Sequence, residues 1–154
     1  ESEKKGVKIR YEGVEAYPVL AEELSQLNYP LIIGSEQQAL FDTLHEISWE
    51  KLHSVTSHFL LKKRQQFFSD IVDKNCFDLI YFDAFGARVQ PDLWTELIFK
   101  CMFNALKIQG VLVTYSAKGS VRRAMQSAGF FVERLEGPPG KREMLRATKL
   151  PKIC

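Results

Sequence analysis

A chain of 154 residues with 45% hydrophobic and 26% charged residues has the proportions of one folded domain with a real core, not of a disordered segment. No apolar run approaches the ~20 residues that span a bilayer, and no signal peptide opens the chain. Net charge is +2, but residues 120–154 carry eight basic residues against three acids, +5, leaving −3 on residues 1–119.

Three widely spaced cysteines, Cys76, Cys101 and Cys154, argue for a reducing, cytoplasmic setting and against a disulfide framework or a zinc site. Residues 7–14 read as a strand, because Val7, Ile9 and Tyr11 alternate, and Glu15 stands at its end. Pro18 opens a helix to about residue 27, with Val19, Leu20 and Leu24 on one face, and Asn28-Tyr29-Pro30 ends it. Ser35 with Gln38 resembles a capping box for a helix through about residue 44, and Ser48-Trp49-Glu50 begins a short turn. Residues 58–65 read as a strand whose Lys62 and Lys63 imply an edge position.

Residues 77–82 are almost unbroken apolar, the pattern of a strand buried on both faces in the middle of a parallel sheet, and they end at Asp83. Pro91 opens a helix over residues 91–106, with Leu97, Ile98, Cys101, Met102 and Leu106 at helical spacing. Gly110 stops it, and residues 111–115 form another buried strand. A helix over residues 121–127 closes at Gly129. A strand over 130–135, a tight connection at 137–140 and an antiparallel return over 143–148 complete the chain. Alternating strands and helices predict one α/β domain: a doubly wound, mostly parallel sheet with an antiparallel hairpin at its carboxyl-terminal edge.

In such sheets ligands gather beyond the carboxyl ends of strands. Asp83 stands there, followed by a loop with Gly86; a helix or turn cap is its other reading. Glu15 suits a ribose hydroxyl pair, although an exposed turn glutamate fits equally and Glu12 competes for the role. Lys118, Arg122 and Arg123 cluster where a glycine turn enters a helix, and Lys141-Arg142 follows Pro-Pro-Gly, so these cations suit phosphates. Phe85, Trp94 and Tyr115 can stack on an extruded base, while each taken singly also reads as core. His45, His53 and His58 lack metal spacing, Ser116 and Ser120 lack a catalytic partner, and no G-x-G-x-x-G loop is present.

Several ordered blocks resemble one family. They are Tyr81-Phe82-Asp83-Ala84-Phe85, Gln90-Pro91-Asp92-Leu93-Trp94, residues 110–123, Gly129-Phe130 and residues 140–145. They are similar to the MnmC-type methyltransferase domain, a Rossmann-like, S-adenosylmethionine-dependent fold. Val14-Glu15-Ala16-Tyr17-Pro18 resembles its acidic motif and selects Glu15 over Glu12. The resemblance implies methylation of 5-aminomethyl-2-thiouridine at the wobble position of tRNA, with Asp83 at the amine and Glu15, Gln66 and Phe67 at the cofactor. It places Phe85, Trp94, Lys118, Arg122, Arg123, Lys141 and Arg142 on tRNA, and it allows a fused or separate oxidoreductase partner. Three departures accompany it. The family's first strand and glycine loop have no counterpart in residues 1–154, which read as an N-terminally incomplete domain with weakened cofactor binding. Gly86-Ala87 replaces its usual Ala-Pro, and Gln65, Gln66 and Phe67 stand where a carboxylate is common. The rival reading is a non-catalytic RNA-binding or scaffold module that has lost its cofactor site.

Overall fold

The computed structural model describes residues 4–137, 139–140 and 142–151, and the chain divides into two compact units between Phe67 and Phe68. The first unit contains β1 (Ile9–Glu15), α1 (Ala21–Leu24), α2 (Tyr29–Ile33), α3 (Gln38–Glu46), β2 (Leu52–Thr56) and β3 (Phe59–Gln65). Its sheet has the order β1-β3-β2. β1 and β3 run parallel, from Ile9 opposite Phe59 to Glu15 opposite Gln65, and β2 pairs antiparallel with β3. Parallel neighbours need a long crossover, which the helical segment between β1 and β2 supplies.

Four expectations change here. β3 is the central strand, not an edge, because β2 pairs along its other side. Its two lysines fall on opposite faces of the strand, and Lys63 finds local partners: its Nζ donates to the His45 carbonyl at 2.6 Å and lies 5.2 Å from the Trp49 ring centre. The helix expected over 18–27 shrinks to Ala21–Leu24, with Val19 and Leu20 exposed, so its apolar face has no surface to bury against. Pro30 sits in the first turn of α2 and opens that helix instead of ending one, while Ser35 lies in a 3-10 turn and caps nothing.

The second unit contains β4 (Phe77–Tyr81), α4 (Glu96–Ala105), β5 (Leu106–Thr114), α5 (Gly119–Ser127), β6 (Phe131–Glu136) and β7 (Glu143–Thr148). The sheet order is β4-β5-β7-β6, with β4 parallel to β5 and the other two pairings antiparallel. The carboxyl-terminal hairpin β6–β7 therefore closes one edge, as its sequence implies. Two of the five strand pairings among the described residues are parallel, since β2 pairs antiparallel at the edge of its sheet and β7 lies antiparallel between β5 and β6. β4 ends the sheet order and leaves Leu79 and Tyr81 exposed, so it is not buried on both faces.

The helix expected over 91–106 is broken. Pro91–Trp94 is a 3-10 turn, Thr95 is extended, and α4 starts at Glu96. α4 buries Ile98, Phe99, Met102 and Ala105 and turns Leu97 outward. These side chains meet Leu106, Leu112, Met125, Leu145 and Ala147 in the buried set of this unit, with Phe82, Trp94 and Phe99 forming an aromatic cluster at centroid distances of 5.2 to 6.3 Å.

Lys149, one of the basic carboxyl-terminal residues, is not on the surface. Its Nζ donates to Asn75 Oδ1 at 2.9 Å and to the Leu106 carbonyl at 2.6 Å, 4.9 Å from the Phe103 ring centre. Burial, helped by the Lys100 charge, lowers its pKa below the ordinary 10.5. With the folded-state pKa below the unfolded one, the native chain releases this proton first as pH rises. Between the two values the unfolded chain binds more protons, so stability increases with pH there. Denaturation followed in urea should show stability rising as pH approaches 10.5, and Lys149→Met should make that rise shallower. An unchanged slope in the variant would exclude Lys149 as its source.

Candidate functional site

In the first unit, the β1–β3 register brings the carboxyl ends of two parallel strands level. Glu15 is exposed there, and its Oε1 accepts the Tyr17 amide at 2.9 Å. Its other oxygen has no partner among the described residues. Gln66 and Phe67 follow β3 directly, and the Phe67 ring meets Tyr17 edge to face at 5.9 Å. Gln66 Nε2 is buried without a hydrogen-bond partner. An orphaned buried donor costs about 1–3 kcal/mol, so this amide is suited to a ligand acceptor.

Glu12 is occupied otherwise. Its carboxylate pairs with Arg10 at 2.6 Å and Arg64 at 3.2 Å, and its side chain is only 6% exposed. That leaves Glu15 as the acid free to receive a hydroxyl pair. A carboxylate, an unsatisfied amide and exposed aromatic faces together fit the adenosine portion of the expected cofactor. Tyr17 is the residue that sequence reasoning passed over; its signal is an aromatic two positions beyond a strand-terminal acid.

In the second unit, the β4 ladder continues to the Phe82 amide, which donates to the Val113 carbonyl at 2.9 Å. Asp83 comes next, exposed, with no hydrogen bond or ion pair among the described residues. It caps neither the 3-10 turn nor α4, whose N-cap residues are Gln90 and Thr95. The following carbonyls are held from inside. Tyr115 Oη donates to Ala84 O at 2.8 Å, and Trp94 Nε1 donates to Phe85 O at 2.8 Å. The Phe85 ring itself is 71% exposed.

Trp94 requires a correction. It is 5% exposed and packed against Phe82 and Tyr115 at 5.2 and 6.0 Å, so its face is not available to a base. It is an anchor for the loop, and Phe85 is the aromatic the loop presents.

A shallow groove of about 380 Å³ runs alongside, lined by Tyr115, Ser116, Ala117, Lys118, Arg142 and Glu143. Lys118 is the N-cap residue of α5, and no side chain caps the helix. The Arg123 guanidinium lies close over Gly119 in the first turn, 3.3 Å from where a Cβ would stand. Free helix amides and cations at one place favour an anion. Arg134 and Arg146 are engaged with Glu143 and Glu133, at 3.4 and 3.0 Å. Lys118, Arg123 and Arg142 are exposed and form no ion pair among the described residues. Arg122 is half-buried with an unpartnered Nε, and Lys141 lies outside the described residues. No group of three metal-donor side chains occurs among the described residues, and none of their helices is long and apolar enough to cross a membrane. Among the described residues the rings of His45, His53 and His58 bond to nearby chain groups, at Phe41, Ser48 and Ser57.

Residues 51–150 match the S-adenosyl-L-methionine-dependent methyltransferase family. The tRNA 5-methylaminomethyl-2-thiouridine biosynthesis bifunctional protein MnmC of Actinobacillus pleuropneumoniae serotype 5b is 28% identical over 148 residues, covering 88% of this chain and 21% of that protein. Its namesake in Pseudoalteromonas translucida is 37% identical over 71 residues, 46% of this chain and 11% of that one. The chain thus spans about a fifth or less of these relatives' length. Among solved structures, MnmC2 from Aquifex aeolicus aligns with a TM-score of 0.68 at 19% identity, over 95% of this chain and 46% of that one. A SAM-dependent methyltransferase from Methanosarcina mazei aligns at 0.52 and 13% identity, over 93% and 83%. These likenesses establish the α/β, Rossmann-like fold.

The two aromatics of the Asp83 loop should separate cleanly on mutation. Trp94→Ala empties a packed core and should destabilise the chain by about 3–5 kcal/mol. Phe85→Ala, at the surface, should stay within about 0.5 kcal/mol of the parent. Chemical denaturation of both variants checks this, and equal losses would mean that Phe85 is also a core residue.

Proposed function

We propose, from the premise that this chain belongs to the S-adenosyl-L-methionine-dependent methyltransferase family matched over residues 51–150, that it methylates the aminomethyl nitrogen of a modified wobble uridine in tRNA. The observation that carries this reading is the unpartnered Asp83 carboxylate at the carboxyl end of β4, beside the exposed Phe85 ring. The MnmC relatives, named for tRNA 5-methylaminomethyl-2-thiouridine biosynthesis, supply the substrate class.

S-adenosylmethionine, when bound, supplies an electrophilic methyl group. Glu15 would hold the ribose hydroxyls through its free carboxylate oxygen, and Gln66 Nε2 and the Phe67 ring would hold the base. Asp83 accepts an N–H of the substrate amine, which fixes the direction of the nitrogen lone pair. It also takes the proton that the nitrogen must lose, as a general base. Orientation matters as much as basicity, because a neutral amine reacts only along its lone pair. Phe85 stacks on the extruded uridine. Lys118, Arg123 and Arg142 hold phosphates, with Arg122 and Lys141 as further contacts of the same kind.

A tRNA substrate fits a cytoplasmic setting, in keeping with three widely spaced cysteines. A fused or separate oxidoreductase partner belongs to the same reading, since the relatives are named bifunctional and are far longer than this chain.

Two experiments follow, both on the full-length protein. Asp83→Asn keeps the shape of the side chain but cannot take a proton at neutral pH. Single-turnover methylation of undermodified tRNA should slow by roughly 10²–10⁴, with thermal melting unchanged. Near-normal turnover would remove Asp83 from the chemistry. Separately, tRNA affinity should fall as salt rises, and Lys118→Ala or Arg142→Ala should each reduce the salt slope by about 1. Slopes equal to the parent's would return these side chains to ordinary solvated surface.

A further inference from the structure

We infer that Tyr115 is a positioning residue for Asp83 and that Trp94 does the same for Phe85; this rests on the reading of Asp83 given above. Past the Phe82–Val113 bond no strand among the described residues pairs with the loop. The carbonyls of Ala84 and Phe85, the two residues after Asp83, are met one by one by side-chain donors, Tyr115 Oη and Trp94 Nε1, each at 2.8 Å. Ala84 is buried, so its carbonyl has no free access to water as an alternative partner.

The two donors brace each other. Their rings pack edge to face at 6.0 Å, and Trp94 is wedged against Phe82 and Phe99 below. On the far side the chain is turned back by Gly86, whose carbonyl accepts the Val89 and Gln90 amides at 2.7 and 3.1 Å. A Cβ at Gly86 would stand 3.7 Å from the Tyr115 hydroxyl, so the turn and the donor are in reach of each other.

The contrast with Asp83 itself is the reason for assigning a role. Its carboxylate has no partner among the described residues, so the backbone alone fixes the point from which the side chain projects. The peptide after Asp83 is the one whose neighbour Tyr115 grips. Releasing that grip lets the 83–85 backbone swing and carries the carboxylate with it, and a displacement near 1 Å costs about 100-fold in rate. A purely structural bond would do something different. Its loss would lower stability and leave the reaction rate of folded molecules intact.

Tyr115→Phe removes only the hydroxyl and keeps the ring against Trp94, and Trp94→Phe removes the indole N–H while keeping an aromatic wedge. The test is a double-mutant cycle in the full-length protein, read by single-turnover methylation and by tRNA binding. Tyr115→Phe should slow methyl transfer about 10- to 100-fold with tRNA affinity within twofold. In the Asp83→Asn background the same change should slow it by less than twofold, since the group it positions is already gone. Trp94→Phe should instead weaken tRNA binding through Phe85, and should lose that effect once Phe85 is alanine. Equal slowing by Tyr115→Phe in both backgrounds, or none in either, overturns the inference while leaving Asp83 catalytic. A fully active Asp83→Asn overturns both readings, and is seen directly in the single variant.

Discussion

A strand that runs out inside an aromatic cluster must hand its last backbone groups to side chains, because no neighbouring strand remains to satisfy them. That is the situation at the end of β4. Phe82 is buried among Phe68, Trp94 and Phe99, and the two carbonyls beyond Asp83 are accepted into the structure by Tyr115 and Trp94. Much of the second unit serves this arrangement. β5 delivers Tyr115 from its carboxyl end, and the 3-10 turn before α4 carries Trp94 inward. Extended Thr95 restarts the helix, so that Ile98, Phe99, Met102 and Ala105 point to the sheet.

The first unit is built on a different economy of interactions. Among its described residues Leu61 and Pro30 are the buried apolar and ring positions, while Leu31, Ile32 and Ile33 are exposed. Charge carries more of the organisation: Glu12 binds Arg10 along β1 and Arg64 across the parallel strands, with Arg64 and Glu12 largely removed from water. Removing one member of such a pair leaves an uncompensated charge, which makes the pair structurally demanding whatever its net worth. The same pairing withdraws Glu12 from ligand chemistry and leaves Glu15, three residues further along β1 and so on its opposite face, at the open strand end.

The charge asymmetry of the sequence has a similar resolution. Its basic end is not a uniform cationic surface. Arg134 and Arg146 knit β6 to β7 through their acids, and Lys149 is sunk among carbonyls. The residue left for a polyanion is the smaller set around the amino terminus of α5, where helix amides add to the field.

Local pattern carried a good part of this. The strand over 143–148, the strand after Phe77, Asp83 at its carboxyl end and Glu15 at the end of the first strand are all legible, because alternation and breakers act over a few residues. The ordered motif blocks carried the family. Pairing was not legible. β2 over Leu52–Thr56 lacks a strong apolar run and exists because β3 offers it an edge, which in turn makes the lysine-bearing β3 central. Nor was the fate of Trp94, since an aromatic at helical spacing looks the same whether it faces water or Phe82. The hydroxyl of Tyr115 reaching Ala84 joins residues 31 positions apart, and the break at Thr95 accompanies the burial of Trp94. Long-range packing, which composition and periodicity do not encode, chooses among conformations that are locally almost equal in energy.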